Sequence, residues 1–222
     1  MIKAVFFDLD GVLIDSETIQ HQYLKETIAE LKLGVPAEAF IALIGSHKSL
    51  NPWDQIIAKY ELRLSREELA AQLFGHRRNR FLALNKREIL FPEVPEVLQQ
   101  LRMRGIWTAC VSSSSPDYIE KALTECGIRE QFDLIVSSDN FQRSKPAPDI
   151  YLYCLDFFQL SSDACLAVED SPIGIAAAKA AGLEVMARIN PEIDLDQSAA
   201  QQRISSLKAV LDYVNSEVRE HV

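Results

Sequence analysis

Cysteine, histidine and excess positive charge are all scarce in this chain of 222 residues. The four cysteines, Cys110, Cys126, Cys154 and Cys165, form no C-x-x-C pair, and only four histidines accompany them, so a zinc site has no support. Cys110 and Cys165 lie inside apolar runs, where a free thiol behaves as a small hydrophobe, and reduced, buried cysteines are expected. Lys and Arg total 23 against 32 Asp and Glu, a net charge of −9, which argues against a basic nucleic-acid face. No segment nears the ~18 consecutive apolar residues of a membrane span. Met1-Ile2-Lys3 runs straight into a short apolar stretch, without the cationic leader and cleavage site of a signal peptide. A cytoplasmic chain with no membrane or nucleic-acid partner is the expectation. Apolar residues at 48% and charged residues at 25% exclude disordered and fibrous classes.

Five short, non-alternating apolar runs read as strands buried on both faces: Ala4 to Phe7, Trp107 to Val111, Leu134 to Val136, Cys165 to Val168, and Val185 to Ala187. Helical patterns separate the last four. Asp117 to Cys126 places Tyr118, Ala122, Leu123 and Cys126 on one face and ends at Gly127. Pro148 to Gln159 gathers Ile150, Tyr151, Cys154, Leu155 and Phe158, and Pro172 to Ala181 opens with a Ser171-Pro172 cap. Alternating strands and helices predict an α/β fold, a Rossmann-like parallel sheet with helices on both faces. Residues 16–84 break the rhythm. They carry helical periodicity without a strand, with Tyr23, Ile28 and Leu31 on one helix, then Phe40, Leu43 and Ile44, then Ile56, Ile57 and Tyr60. Ser65-Arg66-Glu67-Glu68 is a capping box. The reading is an all-helical cap domain inserted at 16–84 into a core formed by 1–15 and 85–222. Asn190 to Gln202 reads as loop, and Ser206 to Arg219 as a final amphipathic helix.

The strongest local signal is Phe6-Phe7-Asp8-Leu9-Asp10-Gly11-Val12, two carboxylates directly after a buried strand. A calcium loop of the D-x-D-G type would need an acid or Asn where Val12 stands. At the C-terminal edge of a parallel sheet, Asp8 and Asp10 instead enter the crevice where such sheets bind ligands. Glu169-Asp170 repeats the arrangement after another strand. Two such acids repel by ~4 kcal/mol at 4 Å with an effective dielectric of 20, so a cation must join the cluster. Oxygen-only ligands suit a hard ion, and carboxylates combined with substrate phosphate suit Mg²⁺. Ser112-Ser113-Ser114-Ser115 before Pro116 offers hydroxyls and backbone N–H groups to an anion, and Lys145 stands on a proline-stiffened loop.

With these residues the chain resembles the haloacid dehalogenase-like hydrolases, in their phosphatase and phosphomutase branch with a helical cap. F-F-D-L-D-G-V-L-I-D-S, V-S-S-S-S, S-K-P-A-P-D-I-Y and V-E-D-S-P-I-G-I-A-A-A-K-A-A-G follow the family's four motifs in order. The resemblance implies a Mg²⁺-dependent phosphatase of a small phosphorylated metabolite, acting as a monomer. Asp8 is then the nucleophile that becomes an aspartyl-phosphate, and Asp10 the general acid and base. Ser112 and the backbone at Ser113 hold the phosphoryl oxygens, and Lys145 pairs with Asp8 and phosphate. The metal falls to Asp8, the backbone carbonyl of Asp10, Asp170 and Glu169.

The same resemblance gives the cap the choice of substrate, with hinges near Ser16-Glu17 and Arg80 to Asn85. Gly45 and Lys48 of the loop Ile44-Gly45-Ser46-His47-Lys48 are its candidate substrate contacts. So is Arg77 in the basic run His76-Arg77-Arg78-Asn79-Arg80, which also reads as a solvated helix face. A β-phosphoglucomutase-like activity is the alternative, although Gln20 stands where sugar mutases carry a histidine and His21 follows it. A phospho-accepting signalling module is the alternative of another class. It needs neither Asp10 nor a cap. Glu93 after Phe91-Pro92 and Asn51-Pro52-Trp53 depart from the family pattern.

Overall fold

In the computed structural model, residues 1–43 and 52–219 are described, and they divide into two compact units. One comprises Met1–Asp15 with Lys86–Val222, and the other is Ser16–Asn85.

The first unit is built on strands β1 (Ala4–Phe7), β2 (Trp107–Ser112), β3 (Leu134–Ser137), β4 (Cys165–Glu169), β5 (Glu184–Arg188) and β6 (Gln202–Ile204). They form one sheet in the order β3-β2-β1-β4-β5-β6, and every neighbouring pair is parallel. All four residues of β1 are fully buried, because helices cover both faces and reward an unbroken apolar run. Phe7 pairs with Cys110 of β2 and Val168 of β4. The order reverses beside β1, so the ends of β1, β2 and β4 open side by side at a topological switch point.

β6 has no counterpart in the sequence pattern, and its first residue, Gln202, falls at the end of the stretch that reads as loop. It pairs Gln202 to Ile204 with Met186 to Arg188, and two of its three residues are exposed. Such a short polar edge strand carries no apolar run for a sequence reading to find.

The helices of this unit are α4 (Val94–Met103), α5 (Pro116–Cys126), α6 (Asp149–Phe158), α7 (Pro172–Ala180) and α8 (Lys208–Arg219). α6 lays Ile150, Tyr151 and Cys154 into the core with Phe6, whose ring stacks 5.9 Å from that of Phe158. The small residues Ala177 and Ala178 of α7 are fully buried in the same cluster. α5 ends at Gly127, where φ of 69° suits glycine. Its buried stripe is Ile119, Ala122, Leu123 and Cys126, a clean i, i+3, i+4, i+7 series. Tyr118, expected on that stripe, is only partly buried. All four cysteines are buried and free. Glu93, preceding α4, receives a 2.9 Å ion pair from Arg188 and hydrogen bonds from Ser206 Oγ and the Leu207 N–H.

The second unit holds α1 (Ser16–Glu30), α2 (Pro52–Lys59), α3 (Arg66–Ala83) and a 3₁₀ stretch over Ala37–Leu43. Leu24, Ile28, Val35, Phe40, Trp53, Ile56, Leu69 and Leu73 make its core. Leu31, expected on the buried face of the first helix, lies beyond its end and is exposed. The Ser65–Glu68 capping box forms, with both reciprocal hydrogen bonds present. No helix among the described residues is long and apolar enough to cross a membrane.

Candidate active site

Asp8 leaves the end of β1 with its N–H on the Val168 carbonyl at 2.9 Å, which fixes it against β4. Lys145 reaches the same place from the loop before α6. Its Nζ donates to Asp8 Oδ1 at 2.6 Å, Glu169 Oε1 at 2.6 Å and the Val111 carbonyl at 2.9 Å. An ammonium has three protons, and three partners match them. Tyr151 of α6 donates a second hydrogen bond to Glu169 Oε1 at 2.5 Å. Lys145, Glu169 and Tyr151 are each almost wholly shielded from solvent.

Burial pushes the Asp8 carboxyl above its ordinary pKa, and the Lys145 ammonium only partly offsets this. Glu169 rises to about 7, chiefly through burial, with Lys145 opposing and the charge of Asp8 adding to the rise. Burial alone would weaken the charge on Lys145. The two carboxylates outweigh it and hold the ammonium more firmly protonated than usual. The result is a buried cation between acids that repel one another.

Asp170 completes the group, for one carboxylate oxygen from each of Asp8, Glu169 and Asp170 lies within 4.8 Å of the others. The surroundings leave these acids room by omitting side chains. A Cβ on Gly11 would overlap Asp170 Oδ2, and one on Gly174 would overlap the Glu169 carboxyl. Glu169 Oε2 is buried and accepts no hydrogen bond among the described residues. An all-oxygen donor set, an orphaned carboxylate oxygen and glycines that make space together fit a hard divalent cation. Gln197, from the loop before β6, fastens the Asp170 carbonyl at 2.6 Å and the Arg188 carbonyl at 2.7 Å through one amide nitrogen.

The serine loop after β2 divides its tasks. Ser112 is buried and its Oγ accepts from the Ser114 N–H at 3.0 Å, whereas Ser113 is exposed. Ser114 Oγ donates to Asp10 Oδ2 at 2.9 Å, and Tyr118 donates to Asp10 Oδ1 at 3.1 Å. The Asp10 side chain therefore turns toward the loop after β2 and the start of α5, and it is not one of the three clustered acids. Arg77, a residue of the second unit, is buried, and its charge faces Glu17. Arg80 of the same basic run pairs with Glu26 at 2.7 Å and lies over the Tyr23 ring. Gly45 and Lys48 lie outside the described residues. Tyr151, Gln197 and Tyr118 escaped the sequence reading. The first and last read in sequence as apolar-face residues, and the glutamine sits in a stretch with no pattern.

A family model of the haloacid dehalogenase-like hydrolases matches residues 2–182. The chain belongs to that family. The protein YhcW of Bacillus subtilis (strain 168) is 30% identical over 223 residues, covering 98% of this chain and all of its own length. Hexitol phosphatase B of Escherichia coli (strain K12) is 28% identical over 93% of each chain. The crystal structure of CbbY from Rhodobacter sphaeroides, a D10N mutant in complex with xylulose-(1,5)bisphosphate, superposes with a TM-score of 0.65. It shares 27% identity and covers 93% of this chain and 95% of its own. In this hydrolase the segments that hold Asp8, Ser112, Lys145 and Glu169 come together at the open end of β1, β2 and β4.

Proposed function

We propose that this hydrolase is a phosphatase of a small phosphorylated sugar or polyol, and that Asp8 forms an aspartyl-phosphate during turnover. The observation that carries the reading is Lys145 bonded to both Asp8 and Glu169 beside Asp170, a site charged to receive a divalent cation and a phosphoryl group together. The relative named hexitol phosphatase B and the CbbY structure in complex with xylulose-(1,5)bisphosphate support the substrate class.

In the first step an Asp8 carboxylate oxygen attacks phosphorus, and the bond from phosphorus to the sugar oxygen breaks. Asp10 supplies the proton that this leaving oxygen takes. Water then attacks the phosphoryl group, Asp10 takes back a proton, and the Asp8–phosphate bond breaks to free inorganic phosphate. Ser112 and the N–H groups after β2 hold phosphoryl oxygens, while Lys145 keeps Asp8 aimed and balances its charge. Asp8, Asp170 and Glu169 would hold Mg²⁺, which when bound supplies charge neutralisation for the transferring group. The helical unit, Ser16–Asn85, selects the substrate. Four free, buried thiols suit a reducing compartment such as the cytoplasm.

The test is a panel of hexose, hexitol and pentulose phosphates with Mg²⁺, read for phosphate release and for isomerised sugar phosphate in parallel. Phosphate release that EDTA abolishes and Mg²⁺ restores is expected. Isomerisation without release would replace this reading with a mutase, and activity indifferent to EDTA would remove the metal.

A further inference from the structure

We propose that Tyr118 is a positioning residue for Asp10, one that holds the carboxylate on the line along which it delivers a proton to the leaving oxygen. The proposal rests on the phosphatase reading and adds a residue to it.

Two hydroxyls meet the Asp10 carboxylate, one on each oxygen. Its Oδ1 accepts from the Tyr118 hydroxyl at 3.1 Å and its Oδ2 from Ser114 Oγ at 2.9 Å. Both donors belong to the segment after β2, but they are fixed in different ways. Ser114 is pinned through its backbone, its N–H donating to Ser112 Oγ at 3.0 Å and its carbonyl accepting from Ser137 Oγ at 2.6 Å. Tyr118 lies in the first turn of α5, where the Pro116 start and the buried Ile119 fix the helix. The ammonium of buried Lys86 lies 5.7 Å from the centre of its ring. Two anchored donors, one on each oxygen, restrain the carboxyl about its terminal torsion.

The chemistry of the partners suits the task as well. A general acid and base alternates between carboxylic acid and carboxylate within each turnover. A lysine or arginine partner can only donate, and so favours the ionised form throughout. A hydroxyl donates to the carboxylate and accepts from the acid, and keeps its hydrogen bond in both forms. The helical stripe of α5 is already complete without Tyr118, so core packing does not account for a tyrosine there. The hydroxyl does.

The experiment compares Tyr118→Phe, Asp10→Asn and the double variant on phenyl phosphate and p-nitrophenyl phosphate. Values of kcat/KM report the steps up to loss of the leaving group. Nitrophenolate departs with little help from an acid, whereas phenolate needs it. Tyr118→Phe should lower kcat/KM roughly tenfold for phenyl phosphate and less than about twofold for p-nitrophenyl phosphate. In the Asp10→Asn background it should change neither, because there is then no proton to aim. An equal fall for both esters marks a merely structural tyrosine and overturns the proposal, as does no fall, or the same fall in the absence of Asp10. If Asp10→Asn itself leaves the ratio between the esters unaltered, the proton-transfer assignment of Asp10 is the part that fails, and Tyr118 loses its role with it.

Discussion

Lys145 Nζ lies 2.6 Å from Asp8 Oδ1 although 137 positions separate the two residues in the chain. Both are nearly inaccessible to water, and the same ammonium also meets Glu169. A buried cation shared by two acids is worth little as net stabilisation, because desolvation offsets the attraction, but removing it leaves like charges facing each other.

Lys145→Met should therefore cost about 3–5 kcal/mol of folding stability. It should also lower turnover by more than about a hundredfold, since Asp8 loses the group that orients it. Urea unfolding and phosphate release measure the two effects. A stable, active variant would show that the bridge is incidental.

Asp8→Asn should abolish phosphate release while the chain stays folded, because Lys145 keeps its bonds to Glu169 and the Val111 carbonyl. Acid-quenched wild-type enzyme should yield a phosphorylated peptide spanning residue 8, and the variant none. Mass spectrometry decides it, and a phosphopeptide from Asp8→Asn would refute the nucleophile.

Gly174→Ala tests the space around Glu169. Alanine would improve the helix by roughly 1 kcal/mol, but its Cβ overlaps a carboxyl clamped by Lys145 and Tyr151. Overpacking costs about 1–3 kcal/mol, so a net loss of stability and weaker activation by Mg²⁺ are expected. Thermal melting and a Mg²⁺ titration of activity check both, and a raised melting temperature would contradict the clash.

Glu93→Gln addresses the buried pair with Arg188. Burial opposes the Glu93 charge, yet its own backbone, Arg188 and the Leu207 N–H together hold its pKa below the usual value. A carboxyl whose folded pKa is depressed stabilises above its unfolded pKa, and that stability fades as pH falls through the folded value. Glu93→Gln should thus cost about 2 kcal/mol near neutrality, and the deficit should shrink below about pH 4. Denaturant midpoints across pH give the answer. A deficit independent of pH would mean that shape, not charge, matters at this position.

Much of this protein is legible in its sequence wherever burial repeats locally. Ala4-Val5-Phe6-Phe7 reads as a two-faced strand because both faces are covered, and Ser65 with Glu68 reads as a helix start because the cap needs only neighbours. Asp8, Glu169 and Asp170 are recognisable as acids at strand ends, where a parallel sheet opens toward ligands, and Lys145 as a cation on a proline-stiffened loop. Residues whose role lies in one long-range bond left no such trace. Tyr118 and Tyr151 resemble core residues in sequence, since nothing nearby shows where a hydroxyl points. Gln197 lies in an aperiodic loop, and β6 is too short and polar to stand out.

The sequence alone determined the alternating architecture, the inserted helical segment and the identity of the charged groups, because periodicity and strand-end motifs are local properties of the chain. Only the tertiary structure decided which oxygen meets which donor. Lys145 divides itself between Asp8 and Glu169, and Asp10 turns to Ser114 and Tyr118. Those pairings depend on the strand order beside β1 and on helix rotation, which bring together atoms as many as 137 positions apart in the chain.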